Sequence, residues 1–222
     1  MGSQRCYCPP KRNGDNRMIT DIEITEVFPI PIGDVYITDE NLLNGLVDEI
    51  YAEMERDPVG TQISNRGGWQ SAPNEEIGPM TQSLRELLIP TIQNYYRSCY
   101  STKSAESLRV TGIWANVNPK LTYNTQHIHP GAQVSGVLYI KVPDNPARID
   151  FHSPTKDTKM AVTGEETQGD TKYNYDSYWF GPSVGRLLLF PSYLAHSVDI
   201  SESDGDRISI AFNASYFDRR WP

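Results

Sequence analysis

The residues best equipped for chemistry in this sequence are its histidines. There are four in 222 residues, and three of them, His127, His129 and His196, fall at two places along the chain. His127 and His129 are separated by a single residue, so in an extended segment both side chains leave the backbone on the same face and can converge on one ion. His196 follows Leu187, Leu188, Leu189, Phe190, Pro191 and Ser192, the pattern of a buried strand ending in a turn. A barrel can bring such a residue back to the first pair as a third ligand. Imidazole suits Fe(II), Zn, Cu and Ni, and three ligands on one side of an ion leave positions open, whereas a closed structural zinc takes four protein ligands. A bare HxH pair is more often a coincidence of surface or core histidines, so its context decides.

That context is DGDRISIAFN, which places Arg207 eleven residues beyond His196 and Ser209 two further on. On an alternating strand Arg207, Ser209, Ala211 and Asn213 share one face, and Ile208, Ile210 and Phe212 the other. A guanidinium turned inward needs an anion, and its planar fork grips a carboxylate bidentately, with the Ser209 hydroxyl as a further donor. The ordinary alternative is an ion pair with a structural Asp or Glu. Trp114, Asn116 and Asn118 alternate along one face of the strand before the HxH, and Ser135 and Tyr139 along one face of the strand after it. Asn116 and the Tyr139 hydroxyl are candidates to touch a bound small molecule, or members of an interior hydrogen-bond network. His152 reads as a hydrogen-bonding residue at a strand end. The run YNYDSYWF from Tyr173 reads as aromatic packing or as the roof of a cleft.

These residues need a scaffold, and the spacing of apolar residues outlines a mainly β fold with bracing helices. Residues 1–18 form a polar arm rich in Arg, Lys, Asn and Pro, and residues 19–222 a single jelly-roll domain. From Asp21 to Ile37 the chain reads as extended segments broken at Pro29, Pro31 and Gly33. A helix capped by Thr38 or Asp39 follows, with Leu42, Leu43, Leu46, Val47, Ile50 and Met54 on one face. Residues 57–79 form a long connection, the kind that often serves as a lid, and within it SNRGGWQS stands out. A second helix is expected over Met80–Tyr100, with Leu84, Leu87, Leu88, Ile92 and Tyr95 inward and a kink at Pro90. Beyond Ser104 the pattern changes to short strands at Ser107–Asn118, Gln133–Val142, Gly185–Phe190 and Asp206–Ser215. Weaker strand signals lie at Arg148–His152, Ser177–Phe180 and Ala195–Ile200. Both helices should brace the outside of a sheet.

Composition limits the function classes. A net charge of −8 argues against double-stranded nucleic acid as the main partner, since such binding leans on clustered Lys and Arg. No stretch approaches the roughly 18 uninterrupted apolar residues of a membrane-spanning helix. The opening residues lack the apolar core of a secretory signal, which points to a cytoplasm. The three cysteines, Cys6, Cys8 and Cys99, read as free thiols, the spacing of the first two being too short for a standard zinc pair.

Four motifs in order, SNRGGWQS around Trp69, HIHPGAQVSGVLYIKVP from His127, LLLFPSYLAHSV through His196 and RISIAFN from Arg207, resemble one family of Fe(II)/2-oxoglutarate oxygenases found in bacteria and phages. The resemblance runs from about residue 25 to 215. It implies a double-stranded β-helix (jelly roll) with Fe(II) at its open end and 2-oxoglutarate as cosubstrate, whose oxidative decarboxylation is coupled to hydroxylation of a substrate by O₂. By position His127 matches the first iron ligand, His196 the distal one and Arg207 the partner of the far carboxylate of 2-oxoglutarate; Ser209, Tyr139 and Asn116, from the strand faces alone, are the candidates for further contacts to it. This chain departs from the superfamily's usual His-x-Asp or His-x-Glu in placing His129 where the carboxylate would be, which leaves the iron site one charge more positive. Asp150 and Asp199 are the alternative carboxylates. Two rival readings stand beside this one. A metal-containing jelly-roll binding or assembly module, such as a virion component, would use the N-terminal arm to reach a neighbouring subunit. A three-histidine dioxygenase of the cupin sort would use no 2-oxoglutarate and would hold Arg207 in a protein salt bridge.

Overall fold

The computed structural model describes residues 24–73, 77–156, 172, 173 and 175–216. The polar arm, Cys6 and Cys8 lie outside them. Strand β1 (Gly33–Tyr36) leads into helix α1 (Glu40–Arg56), which Asp39 caps by accepting a hydrogen bond from the Leu42 N–H at 3.0 Å. Two short strands follow, β2 (Asn65–Arg66) and β3 (Trp69–Gln70), then helix α2 (Pro79–Tyr100). A 3₁₀ turn (Lys103–Ser107) then opens the run of longer strands. These are β4 (Leu108–Asn118), β5 (Tyr123–His127), β6 (Val134–Lys141) and β7 (Ile149–His152). The last four are β8 (Ser177–Phe180), β9 (Arg186–Pro191), β10 (His196–Val198) and β11 (Arg207–Tyr216).

All pairings are antiparallel. One sheet runs β1-β9-β6-β11-β4-β3 and the other β2-β5-β10-β7-β8, so each takes strands from both halves of the barrel sequence, as a jelly roll requires. Period-two alternation on β6, β9 and β11 sends one face of the larger sheet to each side. Leu138, Leu187, Leu189, Ile208, Ile210 and Phe212 pack with Leu42, Leu46, Ile50, Leu84, Leu88 and Ile92 of the two helices. Val137, Leu188 and Phe190 point the other way and meet Ile149, Phe151 and Leu194 between the sheets. The expected bracing of a sheet's outer face by both helices is therefore what forms.

Three expectations need correction. Leu87 is exposed, because the inward stripe of α2 is Leu84, Leu88 and Ile92 and Leu87 stands well to one side of it. The strand signal at 195–200 shortens to three residues. The connection over 57–79 is not a simple loop: β2 joins the smaller sheet and β3 the larger, so it turns a corner between them. Gly67 makes that corner with φ +74°, a backbone state costly for residues with a Cβ, and a Cβ on Gly68 would stand 2.9 Å from the Val117 carbonyl oxygen. Asn65 ties the corner down by accepting from the Ile63 N–H and donating to the carbonyls of Thr61 and Gly68. α2 runs through Pro90 without interruption. Among the described residues no helix is long and apolar enough to cross a membrane.

Candidate metal centre

The smaller sheet sets the three histidines. His127 ends β5 and His196 begins β10, and the two stand opposite each other in the antiparallel register. His129 lies just past β5, where its N–H donates to the Ser192 carbonyl at 2.9 Å and its ring packs 5.6 Å from that of Trp114. One ring nitrogen from each histidine lies within 4.8 Å of the others, and no carboxylate joins the group among the described residues. Asp150 and Asp199 are instead drawn to Arg148, at 3.3 and 3.1 Å.

The donor atoms are prepared for a cation. His127 Nδ1 faces the Thr125 carbonyl at 2.8 Å and His196 Nδ1 the Leu194 carbonyl at 2.9 Å. A carbonyl can only accept, so each ring holds its proton on Nδ1 and presents the Nε2 lone pair to the cluster. Burial keeps the rings neutral: it lowers His196 to about 3 and His129 to about 4, and it lowers His127 as well. Phe190 and Phe151 wall His196, at ring separations of 4.8 and 6.1 Å.

The larger sheet supplies the other half of the site as a ladder of side chains across neighbouring strands. Arg207 on β11 stands opposite Asn118 on β4. Ser209 stands between Asn116 on β4 and Tyr139 on β6, then Ala211 between Trp114 and Val137, then Asn213 between Gly112 and Ser135. Arg207 is 2% exposed, and its Nη2 donates to Asn118 Oδ1 at 2.9 Å. Among the described residues its Nε has no hydrogen-bond partner, and neither has the hydroxyl of the fully buried Tyr139, whose ring centre is 5.7 Å from the guanidinium carbon. Among the described residues no carboxylate pairs with Arg207. Burial lowers the Arg207 pKa and raises that of Tyr139, which keeps the phenol protonated as a donor. A buried cation thus stands beside a buried donor, each with hydrogen-bonding capacity that the described residues do not use.

The two halves face one cavity. Its volume is about 50 Å³, several times what one water needs, and His127, His129, His196, Arg207, Ser209, Tyr139 and Asn116 all line it. The three histidines and the four residues named for cosubstrate contact are thus brought to one chamber, and the alternative carboxylates Asp150 and Asp199 are not. The aromatic run is not: Tyr178 and Trp179 are exposed on β8, the Trp179 ring carries the Arg148 guanidinium at 5.0 Å, and none of the described residues of the run lines the cavity. His152 bonds Ser197 Oγ at 2.9 Å, the strand-end role expected of it. Sequence reasoning missed Ser64 and Asn124, joined by a 3.2 Å hydrogen bond in the cavity wall. It left Asn213 without a role, although its place on the face of Arg207 was legible.

Residues 112–213 match the family model described as "Putative 2OG-Fe(II) oxygenase". No curated protein matches the sequence significantly. The fold resembles a prolyl-4-hydroxylase of Pseudomonas putida, at TM-score 0.58 and 12% identity over 84% of this chain and 93% of that one. HygX of Streptomyces hygroscopicus, solved with nickel and 2-oxoglutarate bound, aligns at TM-score 0.57 and 15% identity over 87% and 86% of the two chains. The viral collagen prolyl hydroxylase of Paramecium Bursaria Chlorella virus-1 aligns at TM-score 0.54 and 12% identity over 82% and 94%. From Gly112 to Asn213, then, the chain matches the sequence model of the putative 2OG-Fe(II) oxygenases, and its jelly-roll fold is similar to those of the prolyl-4-hydroxylase and HygX.

Proposed function

We propose that the protein is an Fe(II)/2-oxoglutarate-dependent dioxygenase, in which His127, His129 and His196 hold the iron and Arg207 anchors the far carboxylate of 2-oxoglutarate. The observation that carries this reading is the buried guanidinium with no carboxylate partner among the described residues, opening on the same chamber as the three imidazoles. Arg207 Nε and the Tyr139 hydroxyl supply the donors that a carboxylate end would take, and Ser209 adds a third. Asn116, next in the row, contacts the body of the cosubstrate. The cupin-type alternative requires Arg207 to be ion-paired with protein, and the described residues offer it only the amide of Asn118.

The donor set fits the metal. Three neutral imidazoles suit a borderline divalent ion, and three protein ligands leave it open positions. Bound iron would supply O₂ activation and the oxidation of 2-oxoglutarate to succinate and CO₂ that drives hydroxylation. The protein's own part is placement. The carbonyls of Thr125 and Leu194 fix two rings in the metal-binding tautomer, and Arg207 sets the end of the cosubstrate farthest from the metal. Val137, Ile149, Phe190 and Val198 give the chamber an apolar lining and Arg207 is itself buried, so the ion pair forms at low dielectric. Because His129 brings no negative charge and the far carboxylate is paired with Arg207, the cosubstrate's near carboxylate would be the one anion these residues leave beside the metal, which couples its binding to metal occupancy.

The test is an anaerobic titration of the Fe(II)-loaded protein with 2-oxoglutarate, followed through the weak visible charge-transfer band that chelation produces. A band that appears and saturates at one equivalent is expected. Stoichiometric iron with no band would reject the cosubstrate and return the site to a three-histidine centre of another kind.

A further inference from the structure

His129, the ligand that stands where the superfamily has a carboxylate, lacks what fixes the other two. Among the described residues no backbone carbonyl is hydrogen-bonded to its Nδ1. The group beside that atom is the Asn213 side-chain amide, with Nδ2 at 3.4 Å. Asn213 Oδ1 in turn lies 2.8 Å from Ser135 Oγ, and Ser135 Oγ lies 2.8 Å from Ser192 Oγ. In this arrangement the amide donates to His129 Nδ1, which places the ring proton on Nε2. That proton also has an acceptor: His129 Nε2 is 3.2 Å from His196 Nε2, whose lone pair is free because its own proton serves the Leu194 carbonyl. The whole set is consistent, with Ser192 donating to Ser135, Ser135 to Asn213, Asn213 to His129 and His129 to His196.

It is also the wrong tautomer for binding a metal. An ion held by His129 Nε2 requires the proton on Nδ1, facing an acceptor. A half-turn of the Asn213 amide provides one without moving the backbone. Oδ1 then accepts from His129 Nδ1–H, Nδ2 donates to Ser135 Oγ, and Ser135 donates to Ser192. The same four side chains support either direction, since an amide and two hydroxyls are each donor and acceptor.

We propose that Asn213, Ser135 and Ser192 form a reversible hydrogen-bond chain whose direction is set by metal at His129, and that Asn213 is the positioning residue for this ligand. On metal binding the ring proton passes from Nε2 to Nδ1, so this step releases no net proton from His129, and the chain reverses along its length. The inference rests on the metal centre proposed above and is independent of 2-oxoglutarate.

The experiment uses the full chain labelled with ¹⁵N-histidine and Zn(II) as a redox-silent probe. In the metal-free protein the ring ¹⁵N shifts should show His129 protonated on Nε2 while His127 and His196 are protonated on Nδ1. With Zn(II) all three should be protonated on Nδ1. In competition titrations Asn213→Leu, which fills the site without hydrogen bonds, should weaken Zn(II) by about 10–100-fold, the usual effect of losing such a contact. Asn213→Asp, whose carboxylate only accepts, should restore wild-type affinity or better, and no purely structural role predicts that rescue. Nδ1 protonation of metal-free His129, or equal weakening by both variants, would overturn the proposal while leaving the metal centre standing. A wild-type protein that takes up no Zn(II) would instead overturn the metal centre, and the reversal with it.

Discussion

Replacing Arg207 with Met should move stability and cosubstrate affinity in opposite directions. The guanidinium is 2% exposed and its described polar support is one hydrogen bond to Asn118 at 2.9 Å, with the Tyr139 ring at 5.7 Å. A cation removed from water without a counter-charge costs several kcal/mol, and exchanging buried ionic groups for apolar ones of similar volume is often neutral or stabilising by about 1–4 kcal/mol. The ligand-free variant should therefore unfold at the wild-type temperature or a few degrees above it, at about 2–4 °C per kcal/mol for a chain of this size. Its loss should be in binding: a buried, charge-assisted carboxylate contact is worth about 2–5 kcal/mol, which at about 1.4 kcal/mol per decade weakens 2-oxoglutarate by roughly 30-fold to several thousand-fold. The assay is thermal unfolding of the Zn(II)-loaded protein with and without 2-oxoglutarate. At one hundred times its Kd the ligand should add about 2.7 kcal/mol to wild type, and at the same concentration less than about 1 kcal/mol to the variant. A variant that loses several degrees alone yet keeps the wild-type ligand shift would show that Arg207 is a structural residue and that the anchor lies elsewhere.

The remaining predictions concern the metal, packing and pH. His196→Ala should abolish stoichiometric metal uptake measured by elemental analysis; full occupancy would refute the triad. His129→Asp, which restores the superfamily's usual pattern, should hold Fe(II) at least as tightly as wild type in competition with a chelator, whereas His129→Ala should lose it; undiminished Fe(II) binding by His129→Ala would deny that residue 129 is a ligand. Gly136→Ala should be destabilising by about 1–3 kcal/mol, since its Cβ would stand 2.3 Å from the Phe212 ring and 2.9 Å from the Leu188 carbonyl oxygen; an unchanged urea midpoint would contradict that packing. His196 is held at about 3 against an ordinary 6.5. The unfolded chain therefore binds a proton that the folded one refuses. The stability linked to this group is full above about pH 6.5 and declines as pH falls toward 3, by up to about 1.4 kcal/mol per pH unit. Urea melts of the metal-free protein between pH 7 and 5 should show a steeper decline than those of His196→Gln, and equal slopes would refute the attribution.

What the sequence disclosed depended on period and on chemistry acting together. The DRISIAFN strand was legible because strict alternation separates Arg207, Ser209 and Asn213 from Ile208, Ile210 and Phe212, and burial on one side fixes the other. The histidines were legible as a group through their scarcity and the HxH spacing. The corner at Asn65–Gln70 was not, because two-residue strands have no period to detect. The contacts that define it, Asn65 to Thr61 and Gly68 and Trp69 Nε1 to the Asp57 carbonyl at 2.7 Å, are between side chain and backbone. Leu87 was assigned inward because leucine at near-helical spacing looks alike on the centre and the margin of a stripe, and only the sheet beneath α2 decides. The Ser64–Asn124 contact joins residues 60 positions apart through the pairing of β2 with β5, which no local pattern announces.

The register of β11 carries a consequence beyond the site. Its odd-numbered residues present the anchor row to the cavity while its even-numbered residues fill the core under the helices. A slip of one residue would drive Arg207 into that core and swing Phe212 into the chamber. No misthreaded version of this strand can be well packed or keep Arg207 at the chamber, because the same displacement destroys both properties. Ligand competence is therefore an internal proof of correct threading: a preparation that binds 2-oxoglutarate stoichiometrically has, by that fact, its central strand home.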